Sequence, residues 1–458
     1  MGVLRLVMYR VSLLTAVAFL LLACSQTELQ RPVAPVPAKW AQAGPAPGIN
    51  SATTHWRAFF TDLRLRALLE AALENNRDLR MAVGRVQEAR AQYGVVRADR
   101  VPTVNLGPPG GTPITTGYAA PLMSVSYELD FWGRITGMTE VARFSFLATE
   151  DARRAVQLTL VADVANAYYE ILQLDELVSL LRATVDLREY AAELVGKGRD
   201  LGAANDNEYL LATVALESAK SSLAALKHQR AVAGNRLDFL VGKTDFVQPE
   251  GKSIEEPGFD SVLRPGIPSE VLLFRPDVMA SEQRLRAAHA NIGVARAAFF
   301  PKIAITAGFG AVGGGFASLF TSNASTFSPL VSLPALWDGG RIQGGVAVAQ
   351  ARQEIAVAEY EKTIQQAFRE VADQLSARES LGRQMRAAIS NKTAQERRLQ
   401  IALGRYEGGL VAYREVIEGQ QDLLAAQQAV ITLRRAQLEA EVQLYKALGG
   451  GEQRAESM

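Results

Sequence analysis

Two periods of apolar residues run along the 458-residue chain, one near 3.6 and one of two, and they occur in the same order twice. Leu65, Leu68, Leu69, Ala72 and Leu73 fall at helical spacing at the start of residues 63 to 98. This helix is predicted to stop before Pro102, because a residue preceding proline is pushed out of the α region. Met123, Val125, Tyr127 and Leu129 then alternate with Ser124, Ser126 and Glu128, the period of a strand with one apolar and one polar face. Ile303, Ile305, Ala307 and Phe309 repeat that alternation against Lys302, Ala304, Thr306 and Gly308. By itself the pattern fits a soluble sheet with one buried face.

The helical stretches that follow the strands are much longer. Residues 138 to 198 contain no proline and place Val161, Val164, Tyr168, Leu172, Leu177, Leu181 and Val185 three to five apart. Residues 341 to 406 continue likewise through Ile364, Ala367, Phe368, Val371 and Leu375. At 1.5 Å per residue each is a rod of roughly 90 to 100 Å, which predicts coiled-coil packing. Glycine-containing turns at 199 to 205 and 407 to 412 fold the rods back into helices 206 to 241 and 413 to 448. Each half therefore reads as a helix, two strands and two long helices.

The halves are a duplication. Asp78, Arg85, Ala89, Ala91, Gly94, Arg97, Ala98 and Pro102 recur 199 positions later as Asp277, Arg284, Ala288, Ala290, Gly293, Arg296, Ala297 and Pro301. Leu237, Val241 and Gly242 correspond to Leu444, Leu448 and Gly449 at an offset of 207, so the insertion falls in loops. Known solenoid repeats are far shorter, and one duplication of this size points to two equivalent halves of a single body. The expected organisation is a first repeat at 56–250, a Pro/Gly-rich connector at 251–268, a second repeat at 269–450 and a tail at 451–458.

Composition narrows the chemistry. Forty-nine Lys and Arg against 48 Asp and Glu leave no basic excess for a nucleic-acid partner, and one Cys with three His leaves too few soft ligands for a Cys/His zinc site. His55, His228 and His289 lie on different elements, with no catalytic triad or metalloprotease spacing. Gly242-Lys243-Thr244 follows a helix rather than a strand, and Gly308-Phe309-Gly310-Ala311-Val312-Gly313 runs on into Gly314 and Gly315 instead of a helix; neither offers a phosphate site. No enzyme, cofactor or resident metal is expected.

The N-terminus carries its own signal. Arg5 and Arg10 precede an apolar run from Val11 to Leu22, too short to span a bilayer, then Ala23 and Cys24. Leu21-Leu22-Ala23-Cys24 resembles the lipobox of bacterial lipoproteins, which implies removal of 1–23, lipid modification of Cys24 and, with Ser25 next, export to the outer membrane. Residues 24–55 then form a tether rich in Pro and Ala.

Phe300-Pro301-Lys302-Ile303-Ala304-Ile305-Thr306-Ala307-Gly308, Trp337-Asp338-Gly339-Gly340-Arg341, Leu272-Leu273-Phe274-Arg275-Pro276-Asp277-Val278 and Tyr127-Glu128-Leu129-Asp130-Phe131-Trp132-Gly133-Arg134 together resemble TolC-like outer-membrane efflux proteins, of the OprM-type (NodT-type) lipoprotein branch. The resemblance spans about Trp56 to Gly450. It implies a mainly α chain with a transmembrane β-barrel. Each copy of a homotrimer gives four strands to one 12-stranded barrel, continued by a 12-helix periplasmic coiled-coil tunnel. It also implies a passive duct for small-molecule efflux, anchored in outer-membrane lipid, with a periplasmic adaptor and an inner-membrane pump as partners. Arg405-Tyr406-Glu407-Gly408-Gly409 through Glu415 and Glu418 resembles the family's periplasmic turn, which makes Glu415 and Glu418 pore-facing acids and Arg405 and Tyr406 ties between helices; Val411 stands where some relatives have a basic tie. The first strand loop, Gly107 to Tyr118, is short, which implies a thin extracellular cover. A lipid-anchored coiled-coil structural protein without a pore, and an outlet for protein secretion, are the alternatives.

Overall fold

The computed structural model describes residues 54–106, 121–202, 204–243, 274–311, 323–334 and 337–451, with short pieces at 49–50, 253–254, 259 and 263–264. The signal segment, Cys24, most of the tether and connector, the loop 107–118 and all but the first residue of the tail lie outside the described residues. In chain order the elements are β1 (Ile49–Asn50), α1 (Trp56–Phe59), α2 (Leu63–Asn75), α3 (Arg77–Ala98), β2 (Thr103–Leu106), β3 (Pro121–Leu129), α4 (Arg134–Asp200) and α5 (Asp206–Val241). They continue as β4 (Leu263–Arg264), α6 (Pro276–Ala297), β5 (Lys302–Ala311), β6 (Asn323–Ser332), α7 (Arg341–Glu407) and α8 (Tyr413–Ala447). The order of helix, strand pair and long helical hairpin is thus present twice.

The chain divides into two compact units that cut across the repeats, each taking matching pieces from both. One unit contains Gly84–Asp151 and Met279–Thr363. Its centre is a four-stranded antiparallel sheet in the order β2-β3-β5-β6. From Met123 to Leu129 the register holds one phase, after a shift between Pro121 and Met123. Met123, Val125, Tyr127 and Leu129 pair with Phe309, Ala307, Ile305 and Ile303, while Ser124, Ser126 and Glu128 pair with Gly308, Thr306 and Ala304. Val104 and Leu106 pair with Val125 and Met123, and Val331 with Ile303, so both outer strands extend the same apolar face.

The strand-to-helix turns are built alike in the two repeats. Asp130 accepts from the backbone N–H groups of Ile135 and Thr136 at 3.0 and 2.7 Å, capping α4. Asp338 accepts from Gly340 and Ile342 at 2.9 and 2.8 Å, capping α7. Arg134 adds a two-pronged bond to Glu128 at the end of β3, at 2.9 and 2.6 Å.

The second unit contains Val36–Val83, Ala152–Val278 and Ile364–Met458. Its larger core gathers Phe59, Phe60, Leu65, Leu68, Leu69, Val164, Tyr168, Leu237, Val371, Val442 and Tyr445. Tyr445 stacks on Phe59 with ring centres 4.4 Å apart. Its hydroxyl donates to the carbonyl of Thr54 at 2.9 Å. A short parallel pairing of Ile49 with Leu263 and Asn50 with Arg264 ties tether to connector.

The helix expected over 63–98 is broken. Asn76 takes an extended backbone, φ −62° and ψ 133°. Its Oδ1 accepts from the Leu79 N–H at 3.0 Å while its Nδ2 donates to the Leu240 carbonyl at 2.8 Å. A side chain that satisfies one helix start and one helix end stabilises the interruption, which apolar spacing does not register. In the second repeat α6 begins at Pro276, a residue preorganised for the first helical position, and residues 269–273 lie outside the described residues.

Candidate functional site

The turn between α7 and α8 holds the acids and the ties expected from the sequence. Glu415 and Glu418 stand three apart in the first turns of α8 and so share a face, which Asp422 prolongs. Each of the three is met by an arginine: Arg405 Nη1 lies 3.1 Å from Glu415 Oε1, Arg414 Nε 2.8 Å from Glu418 Oε1, and Arg398 Nη1 2.5 Å from Asp422 Oδ2. Arg398 and Arg405 are seven residues apart on α7, and Glu415 and Asp422 seven apart on α8, so two ion pairs cross the antiparallel hairpin in one register. All six side chains are exposed enough for water and salt to weaken the pairs.

Behind the acids lies a second, smaller core. Val185, Ala192 and Val195 of α4 and Ala212, Ala215, Leu216 and Ala219 of α5 pack with Tyr413, Val416 and Ile417 of α8. Tyr406 joins its edge, its ring centre 5.3 Å from that of Tyr413. Burial raises the Tyr406 hydroxyl above its ordinary value, and the Glu208 carboxylate adds to the rise. Glu208 is itself fixed by a capping box with Asn205. Sequence reasoning had passed over Glu208, Asp422, Arg398 and Arg414.

It had also passed over Arg188. This side chain is buried in the same core, where Nη1 donates to the Ala215 carbonyl at 2.7 Å and Nε has no hydrogen-bond partner among the described residues. Burial lowers its basicity, opposed by Tyr413, whose own hydroxyl is buried without a described hydrogen-bond partner and pushed up by that burial. The closed core therefore encloses a cation that no carboxylate among the described residues neutralises, a cost in the packed state.

The strand unit presents the other functional surface. Leu106 is 89% exposed and Val104 59%, whereas Ser124 on the opposite face is 1% exposed. A water-soluble sheet has the reverse arrangement. The polar face is buried only at the centre of the sheet: on the edge strands its residues Thr103 and Asn105 of β2 and Leu330 and Ser332 of β6 are exposed as well. Both edges, β2 and β6, lack a neighbouring strand among the described residues.

Among the described residues no group of three or more His, Cys, Asp or Glu is placed to hold a metal ion, and no helix is long and apolar enough to cross a membrane. Gly242 is the left-handed C-cap of α5 rather than part of a phosphate loop. Gly308 and Gly310 are ladder residues of β5, paired with Thr326 and Ala324.

A sheet with apolar side chains exposed at its open edges, in a chain that also forms two antiparallel helical hairpins, each with one arm of 67 residues and a shorter one of 36 or 35, defines a strand-inserted membrane protein with a helical body. Comparison with known proteins gives the class its family. The family described as outer membrane efflux protein matches residues 68–243 and 267–450, one match to each repeat. The cation efflux system protein CusC of Escherichia coli O157:H7 is 38% identical over 95% of this chain and 97% of its own length. The probable outer membrane lipoprotein SilC of Salmonella typhimurium is 37% identical over 97% and 99%. Among solved structures, the open state of the Neisseria gonorrhoeae MtrE outer membrane channel aligns with a TM-score of 0.83 at 30% identity, covering 93% of this chain and 98% of that one. The chain belongs to the outer membrane efflux protein family, and its place is the bacterial outer membrane.

Proposed function

We propose that three copies of the chain form one passive export duct, a 12-stranded barrel in the outer membrane continued by a 12-helix tunnel, which carries small solutes out of the cell. The observation that carries this reading is a sheet whose apolar face is exposed at its edge and whose two edge strands are open. Leu106 and Val104 are exposed where Ser124 is buried, and lipid is the medium that welcomes the exposed face. Lipid does not tolerate open strand edges, so β2 and β6 need partners, and further copies of the same four strands supply them.

The α7–α8 turn is the gate in this reading. Three copies bring Glu415 and Glu418 into two rings of carboxylates, a constriction that attracts cations and repels anions. The Arg398–Asp422 and Arg405–Glu415 pairs, with Tyr406 against Tyr413, hold α7 to α8 at rest. Each charged tie is worth about 0.2–1 kcal/mol, small enough for a docked partner to break. A partner surface is present on the α4–α5 hairpin, where Leu187, Tyr190, Leu194, Leu210 and Val214 are all more than half exposed. A coiled-coil adaptor reaching from an inner-membrane pump fits that apolar stripe. No chemistry in this chain is required, since the pump supplies the energy.

Relatives named for cation efflux make metal cations one cargo class, and relatives named for antibiotic and toluene efflux make organic toxicants another. A strain lacking the gene is expected to retain such solutes and to regain export when the chain is restored. Unaltered susceptibility to drugs and to metal cations alike would contradict efflux, and loss of a secreted protein instead would favour the secretion outlet.

A further inference from the structure

The internal duplication identifies which residues of one copy meet which residues of the next. Within the chain the end of the first repeat packs on the start of the second in the strand unit. Tyr127 of β3 pairs with Ile305 of β5, and just beyond the strand Trp132 donates from Nε1 to the Pro301 carbonyl at 2.8 Å and stacks on Phe300 at 4.5 Å. The same junction recurs at the end of the second repeat, and no described residue of the same chain completes it. Thr103 pairs with Ser126 as Lys302 pairs with Ser332, so with Pro102 matching Pro301 the counterpart of Tyr127 is Leu333 and that of Ile305 is Leu106. Trp337 is the tryptophan of the second-repeat turn, one residue before the capping Asp338 where Trp132 stands two residues after the capping Asp130, and Pro102 and Val101 match Pro301 and Phe300.

Three of these orphaned counterparts, Leu106 at 89%, Trp337 at 88% and Leu333 at 76%, are among the most exposed large apolar side chains of the described residues, and Val101 is 59% exposed. They flank the two open strand edges, with Leu106 and Val101 beside β2, and Leu333 and Trp337 beyond β6. Resting on the trimeric reading, we infer that β6 of one copy pairs with β2 of the next with Leu333 opposite Leu106, and that Trp337 Nε1 donates to the Pro102 carbonyl while its ring covers Val101. The pairing keeps both leucines on the apolar face, since Leu106 shares that face with Met123, and Leu333 follows Val331 by two residues. It supplies an exposed Trp with a polar partner at the end of the strand, where indole rings settle at a membrane boundary.

The test is a disulfide between copies in the full, lipid-anchored chain. Residues opposite each other on antiparallel strands have Cα atoms about 4.5–5.5 Å apart, within disulfide reach. Oxidised Leu106→Cys/Leu333→Cys protein is expected to give a covalent ladder that stops at three chains, absent from either single variant. An intact oligomer by light scattering with no ladder, or with Leu106→Cys linking to Val331→Cys instead, overturns the register and leaves the duct standing. A monomer in detergent overturns both. As an independent readout, Trp337→Phe is expected to lower the temperature at which the oligomer dissociates in detergent, and an unchanged temperature removes the Trp337–Pro102 contact.

Discussion

Asn76 and Arg275 stand 199 positions apart and are structural counterparts, each reaching from a break between helices to the last turn of the following hairpin, Asn76 to the Leu240 carbonyl at 2.8 Å and Arg275 to the Ala447 carbonyl at 3.0 Å. Those carbonyls belong to residues that correspond at the offset of 207. The fit is tight in both joints. Gly242, with φ +75°, would set a Cβ 2.5 Å from the Asn75 carbonyl oxygen, and Gly449, with φ +95°, one 2.7 Å from that of Phe274. The chemistry of the two reaching side chains differs. Arg275 is buried between Asp277 at 2.6 Å and Glu370 at 2.8 Å. Burial works against its charge, but the Asp277 bond and the two carboxylates outweigh it and hold the guanidinium above its ordinary value.

Removal of the two side chains should therefore differ in cost. Arg275→Ala takes the donor from the Ala447 carbonyl and the guanidinium from Glu370, which keeps Gln366; with both carboxylates about a third exposed, the loss is about 3 kcal/mol, the low end for breaking a buried pair. Asn76→Ala forfeits a cap and one neutral hydrogen bond, about 1–3 kcal/mol. Denaturant midpoints of the two variants rank them directly, and equal losses would mean that the two joints do not carry different loads.

The caps of the long helices predict a pH dependence. Burial alone would raise Asp130, but its bonds to Thr136 and to the backbone of Ile135 prevail and lower it below the usual carboxylate value of 3.8. A carboxylate whose folded value is depressed adds stability that is complete above the unfolded value and disappears as pH falls through the folded one. Melting temperature should thus decline below about pH 4 in the native chain, and less steeply in Asp130→Asn. Parallel curves would show that the cap carries no proton linkage.

Cys24 is expected to be the point of lipid attachment. Incorporation of labelled palmitate should vanish in Cys24→Ala, with the chain still exported. Labelling that persists places the lipid elsewhere.

Loosening the ties should open the gate by a modest amount. Arg398→Ala with Arg405→Ala removes two half-exposed pairs, about 0.4–2 kcal/mol per chain, and is expected to raise channel conductance with little change in melting temperature. The difference between variant and native chain should shrink in high salt, since screening weakens the same pairs in the native chain. Unchanged conductance at low salt would assign the pairs to surface solvation only.

Much of the fold is legible in the residues themselves. The strand pattern at 123–129 and 302–309 marks the faces, and the duplicated prolines at 102 and 301 mark the helix ends. The break at Asn76 is hidden because a single extended residue inside a polar turn disturbs no apolar period, although its counterpart before Pro276 carries the hint. The partners of Glu415 and Asp422 depend on the register of a hairpin, which spacing along one helix does not reveal. Arg188 reads as one more charge on a mixed helix until α5 and α8 close over it.

Conductance in planar bilayers tests the export duct most directly. The native chain is expected to give small, cation-favouring steps, and Glu415→Ala with Glu418→Ala to widen the pore and reduce that preference. A folded, oligomeric protein that shows no conductance in either form would contradict the duct and leave a structural coiled coil in its place.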